Sequence, residues 1–529
     1  MDAQLRQEIV DLCTAMLATF SKEYIKAYTI ELVKKATKEA RETPSPYFLE
    51  KRPKDFDKSD IFKGSLIKLG AVRKNWLKRH FVVRYDYSVD YFVDENETTK
   101  KGTINLCGYR VEDDPNQSAI TRIFNLAEKL GVDTSSIPKP KELPPFTIEL
   151  YHYSRRCYYI QCANEDEFKE WVEMFRICCR RAYGLKNRDP CHQGAFHVAV
   201  RNTRWSLGRY GYWSYGGNEI QILSDLISTE VEYDILGRAL RKLPNVPWFI
   251  RNFLRNKMMN VIDGIITSAV NPSWAAMDKT VTELRPTVEP RIKNQVDPIA
   301  QAQGNIVNKM KEQIMSAAQQ SIEQHLAPHL AKIVRTTKEP IQSGFVESFK
   351  IWNDKTNGYS GNGSKESFSE YRRYPNNCWT MHPARIQIHD LEDPLRDLSK
   401  IFSDIWPSSI IYSIKEDITA MAYDGTYTFE KTVTEDQQDI ESSKNSTREK
   451  YEHDVYTGTD EQIKFVIRSC ACPVLFKVLK PITKPILSSL SSLVPSGLND
   501  FLDVDEMYTQ LINDIVDENT QIALDQIKN

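Results

Sequence analysis

Apolar side chains recur every three or four positions from Leu5 to Leu32, through Ile9, Leu12, Met16, Phe20, Tyr24 and Tyr28, with Lys and Glu between them. That period predicts a helix with one apolar stripe over residues 4–42, ended by the breaker Pro44-Ser45-Pro46, in an N-terminal segment 1–45. Glu8, Asp11, Glu23 and Glu31 interrupt its polar face, which suits docking on other helices better than lying in a membrane plane. From Ile61 the period falls to 2. Short alternating runs at Lys63–Leu69, Trp76–Tyr85, Asp90–Val93, Gly102–Leu106, Phe146–Tyr151 and Cys157–Cys162 predict strands, each bounded by turn residues. One amphipathic helix, from about Glu165 to Ala182 with Trp171 on its apolar side, closes the segment. The expectation is a small strand-built barrel plugged by a helix over 61–182, with residues 112–145 as a surface excursion.

Residues 183–217 read as an irregular, aromatic-rich connector, and helical patterning fills 218–529. Glu219–Leu240 and Pro247–Val270 are predicted as separate helices. The stripe over Asn305–Val334 should kink at Pro328 and is long enough to pair between chains as a coiled coil. Breaks are expected at Gly358–Ser367 and Glu435–Arg448, and amphipathic segments at Glu461–Leu479 and Val504–Ile527. The fold class is therefore α+β by segment: a split β-barrel with its own helix, set in a large and mainly helical, elongated body.

Composition narrows the chemistry. Over 529 residues the net charge is −2, so no global field gathers nucleic acid. Ten cysteines are too few for a disulfide scaffold. Neither a secretory signal nor an apolar run of about 18 residues is visible, which predicts a soluble cytoplasmic protein. One stretch departs from neutrality: Lys51–Arg84 holds eleven basic residues against three acidic ones.

Within that stretch, Gly64-Ser65-Leu66-Ile67-Lys68-Leu69-Gly70 followed by Trp76-Leu77-Lys78-Arg79-His80-Phe81-Val82-Val83 resembles the first hairpin of a pleckstrin-homology (PH) domain, and the closing helix with Trp171 fits the same family. If Phe81 and Val83 face the barrel interior, alternation puts Arg79 and Leu77 on the same side, nearer the open mouth. Lys68, Arg73, Lys74, Lys78 and Arg79 are then the candidate contacts for a phosphorylated inositol headgroup, because each carries a persistent charge and several donors for phosphate oxygens. Trp76, Phe81 and Trp171 are expected to be structural. Phosphoinositide-binding members tend to carry Lys or Arg two positions before the Arg; Leu77 stands there, so one phosphate-facing charge is missing.

A wider resemblance lies in Tyr210-Gly211-Tyr212-Trp213-Ser214-Tyr215-Gly216-Gly217-Asn218-Glu219-Ile220-Gln221-Ile222-Leu223-Ser224. This string is similar to one in the Niban proteins, with weaker echoes in family order along most of the chain. The resemblance implies a non-enzymatic regulator of stress and survival signalling whose helical body acts through protein partners, and the barrel is expected to add weak phosphoinositide or anionic-membrane contact. The competing readings are a pure protein scaffold that touches no lipid, and an exchange factor for small GTPases. No cofactor is implied. Cys191, His192 and His197 lack a second pair at zinc-site spacing and read as a loop cysteine and two exposed histidines. Cys178, Cys179, Cys470 and Cys472 read as small buried hydrophobes.

Overall fold

A computed structural model describes residues 3–38, 59–70, 75–106, 108–130, 142–152, 156–184, 190–213, 218–241, 248–356, 391–401, 405–434 and 439–528. The first helix, α1 (Ala3–Lys38), carries the expected stripe: Ile9, Cys13, Met16, Phe20, Tyr24 and Tyr28 are buried in the core of the helical body. A lone helix cannot bury such a stripe, and α1 packs on α4 (Pro190–Ser206) and α7 (Trp248–Lys293). Tyr24 stacks on Phe20 (centroids 5.8 Å apart), meets Trp274 at a tilt (5.3 Å), and its hydroxyl meets His192 Nδ1 at 3.1 Å.

The seven strands are β1 (Phe62–Leu69), β2 (Trp76–Val83), β3 (Val89–Phe92), β4 (Lys100–Ile104), β5 (Arg110–Glu112), β6 (Thr147–Tyr151) and β7 (Tyr158–Gln161). They form one antiparallel sheet in the order β4-β3-β2-β1-β7-β6-β5, plugged by α3 (Glu165–Gly184). Inward positions alternate as the pattern requires: Leu66, Phe81, Val83, Val89, Ile148, Leu150 and Ile160 fill the core beneath Trp171 and Phe175. Gly64 has a packing reason: a Cβ there would stand 3.0 Å from the Trp171 ring.

Several elements differ from expectation. The excursion after Glu112 contains a helix, α2 (Pro115–Leu130), started by Asp114, whose carboxylate accepts from the Gln117 N–H. Arg122 on this helix reaches the buried Glu149 of β6 at 2.7 Å. The 183–217 connector is helical over α4, so Cys191 is buried and His192 and His197 are half-buried between helices. Burial pushes His197 down to about 4, which keeps it neutral.

Beyond α5 (Glu219–Glu230) come a π-helical turn (Val231–Leu236) and α6 (Gly237–Arg241). α7 runs on through Pro272 to Lys293, past the end expected at Val270. The Asn305–Val334 stripe divides into α8 (Val296–His325) and α9 (Ala327–Thr356), separated just before Pro328. Its apolar positions, Ile306, Met310, Ile314, Ala318 and Ile322, are buried within the chain and leave no seam for a second copy.

The remaining helices are α10 (Glu392–Ile401), α11 (Pro407–Thr434), α12 (Ile440–Ser491) and α13 (Val504–Lys528). α12 begins inside the expected Glu435–Arg448 break because the Asp439 side chain caps its first turn. The Gly358–Ser367 break lies outside the described residues. α11 packs on α3, and Tyr412 Oη meets His152 Nε2 at 3.1 Å, fastening the barrel to the helical body. Among the described residues no helix is long and apolar enough to cross a membrane.

Where α11 meets α12, Gln462 Nε2 donates to Asp417 Oδ2 at 2.7 Å, yet burial holds that carboxyl up at about 6. The acid is protonated in both folded and unfolded chains below about pH 4. Between about pH 4 and 6 the unfolded chain ionises this acid while the folded one keeps its proton, so stability falls across that window and levels off above it. Asp417→Asn should therefore raise stability at pH 7 by about 1–3 kcal/mol and change it little at pH 4, as thermal melts at the two pH values will read.

Candidate anion-binding cup

The inward alternation that builds the barrel core continues past it to the open end. On β1 the position after Leu66 is Lys68; on β2 the position before Phe81 is Arg79; on β3 Tyr91 follows Val89; on β7 Tyr158 precedes Ile160, with Arg156 just before the strand. Register ties them together, Lys68 facing Leu77 on β2 and Ile160 on β7. The Lys68 ammonium lies over the Tyr91 ring (4.7 Å) and near that of Tyr158 (5.3 Å). Lys68 is only 6% exposed and forms the floor; Arg79 is half-buried and Arg156 exposed, and they form the rim. Arg79 Nη1 donates to the Lys78 carbonyl at 2.7 Å, and the Arg156 guanidinium stacks over Tyr158 at 4.8 Å.

The electrostatics separate this cluster from the other basic residues nearby. Lys63 is held by Asp60 and Glu97, both at 2.7 Å, and Arg84 by Asp60 and Asp90 at 2.8 and 2.9 Å. Those cations are neutralised within the fold. Among the described residues no carboxylate pairs with Lys68, Arg79 or Arg156. Burial, then the repulsion of Arg156 and Arg79, pulls Lys68 down to about 8. Burial likewise raises Tyr91, so its hydroxyl stays protonated. Three cations converging without a counter-charge, in a partly desolvated mouth, make a site that an anion would complete.

The expected residues thus divide. Lys68 and Arg79 come together. Lys78 does not join them: it stands one position out of phase on β2, exposed on the outer face, and contributes only its carbonyl. Arg73 and Lys74 lie outside the described residues. Leu77 points along the inner phase but is 44% exposed at the lip. Phe81 and Trp171 are core, and Trp76 opens β2 half-buried on the outer face. Sequence reasoning missed Arg156, Tyr91 and Tyr158. The signal was the pair Arg155-Arg156 just before a Tyr-rich strand, which only barrel closure brings beside β1. Among the described residues no group of His, Cys, Asp or Glu is placed to hold a metal ion.

The Niban-like string also has a physical role. Asn218 Oδ1 accepts from the Gln221 N–H at 2.9 Å, and Gln221 Oε1 accepts from the Asn218 N–H at 3.2 Å. This reciprocal capping box starts α5, which then buries Ile222, Leu223, Leu226 and Ile227.

Comparison with known proteins agrees with both parts of the fold. Residues 60–180 match the PH domain family model. A PH domain-containing protein of Dictyostelium discoideum is 64% identical over 527 residues, covering 100% of both chains. Niban 2 of Mus musculus is 23% identical across 97% of this chain and 71% of its own length. The crystal structure of human Niban 2 superposes with a TM-score of 0.68 at 20% identity, covering 99% of this chain and 98% of that one. That likeness extends the shared architecture through the whole helical body as well as the barrel. The chain belongs with the PH domain-containing protein of Dictyostelium discoideum and is Niban-like along nearly its whole length.

Proposed function

We propose that the chain is a non-catalytic adaptor at the cytoplasmic face of a membrane. Its barrel takes the phosphate groups of a phosphoinositide headgroup, and its helical body presents surface to protein partners. The observation that carries this reading is the convergence of Lys68, Arg79 and Arg156 without a carboxylate among the described residues, beside cations that the fold does neutralise. Guanidinium groups at the rim suit bidentate contact with phosphate, and the buried ammonium supplies a point charge beneath. With Leu77 in place of a further cation, the expected affinity is modest.

Vesicle co-sedimentation tests the reading. The full chain should pellet with phosphatidylcholine vesicles carrying phosphoinositide more than with phosphatidylcholine alone. Binding should weaken about tenfold between pH 7 and pH 9, because Lys68 loses its proton near 8 and must regain it when phosphate binds. Lys68→Arg should flatten that profile. Failure to pellet with any phosphoinositide would leave the second reading, a protein scaffold, which the fastening of β6 to α11 through His152 and Tyr412 favours.

A further inference from the structure

The last third of α12 carries a different surface. Between Glu461 and Asp500 the chain has no acidic residue in 38 positions, although Asp and Glu number 72 overall, while Lys464, Arg468, Lys477, Lys480 and Lys484 fall within them. Lys464 pairs with Glu461 at 3.3 Å and Arg468 with Asp517. The others stand along one flank of the helix. At 100° per residue, Val478, Ile482, Pro485 and Ser489 share the face beside that flank, and Leu493 continues it just past the helix end. This face is turned outward: Val478 is 43%, Ile482 47% and Leu493 46% exposed, while Phe476, Leu479 and Leu490 on the opposite side are buried.

Lys480 and Lys484 border a cavity of about 570 Å³, lined also by Trp205, Phe476 and Tyr508 and by the acidic Glu23, Asp503, Asp505 and Glu506. Two of them are already engaged, Asp503 by Lys26 at 2.8 Å and Glu506 by Lys34 at 3.1 Å and by Arg201. Asp505 also lines the cavity; burial and the neighbouring Asp503 push its carboxyl up. Among the described residues Lys480 and Lys484 have no carboxylate partner. Lys480 instead donates to Tyr210 Oη at 3.0 Å.

We infer that the Pro473–Leu493 segment of this chain is an anionic-lipid contact, separate from the cup. The occupant follows from charge and exposure. The face is exposed and mainly aliphatic, and lysines border it on one flank. An in-plane helix has this arrangement, with aliphatic tips entering the acyl boundary and lysine stems reaching up to headgroups. The attraction depends on surface charge and calls for no particular headgroup.

The experiment uses the full chain and phosphatidylcholine vesicles with or without phosphatidylserine, free of phosphoinositide, together with sedimentation velocity of the same samples. Wild type should bind the phosphatidylserine vesicles. Lys480→Gln with Lys484→Gln should weaken binding about 25-fold, roughly fivefold per lysine. Val478→Ser with Ile482→Ser, both at exposed positions, should weaken it while leaving the thermal melt in place. Lys68→Ala with Arg79→Ala should leave phosphatidylserine binding intact, so the cup and this face fail or succeed separately. The inference is overturned if wild type ignores phosphatidylserine or if the α12 variants bind as wild type does. It is equally overturned if those variants convert a dimer to a monomer without changing lipid binding, which would mark the face as a self-association surface.

Discussion

Joint replacement of Lys68 and Arg79 by alanine is expected to abolish the phosphoinositide-dependent part of vesicle pelleting, leaving only what vesicles of equal charge without phosphoinositide give. Each side chain supplies a charge-assisted contact to phosphate worth about 1.5–3 kcal/mol, so losing both weakens binding by roughly two to four orders of magnitude. The fold should survive. Lys68 is a buried cation beside Arg79 and Arg156 without a carboxylate partner among the described residues, so its removal relieves repulsion, and the melting temperature should hold or rise. Lys78→Ala is the matched control. From the outer face of β2 that lysine adds only long-range attraction of about 1 kcal/mol, so its loss should cost no more than about fivefold. Equal losses from Lys78→Ala and from the double variant would mean that a diffuse basic surface binds, and that the cup does not.

The largest stability effect is expected at Trp171. Its ring is 2% exposed, meets Phe62 at 4.8 Å, Phe175 at 5.1 Å and Phe81 at 6.1 Å, and lies against the bare Cα of Gly64. Trp171→Ala removes the centre of that cluster and should cost the barrel about 3–5 kcal/mol. Because the helical body has its own core, the loss should show as an earlier barrel transition within a two-step denaturant curve rather than a uniform shift. A single unshifted transition would mean that the α3–α11 contact carries the barrel's stability.

What could be read from the sequence follows from how local each signal is. The α1 stripe and the strand alternation are written in consecutive residues, and they placed Phe81 and Trp171 in the core and Lys68 with Arg79 at the mouth. The same rule, applied strictly, excludes Lys78, which is one step out of phase with its neighbours. Arg156 was not legible, because it joins Lys68 only when β7 closes on β1, some ninety positions along the chain. The helix α2 was hidden by the prolines that end its excursion, although Asp114-Pro115 is a sound helix start. Aromatic content concealed α4: Trp205 and the aromatic residues after it suggested a connector, whereas the helix before them packs Phe196 on Phe20 and Trp274 as core of the helical body. The acid-free stretch of α12 was visible as composition, but only the structure shows that Val478 and Ile482 face outward.

Calorimetric titration of the full chain with a soluble inositol trisphosphate at pH 8, in two buffers of different ionisation enthalpy, tests the cup most directly. Saturable binding should take up about half a proton per ligand, since Lys68 is half-protonated near that pH and fully charged once phosphate sits above it. Lys68→Arg should keep the binding and lose the uptake. Absence of binding, or binding whose heat is the same in both buffers, would contradict a phosphate seated on Lys68.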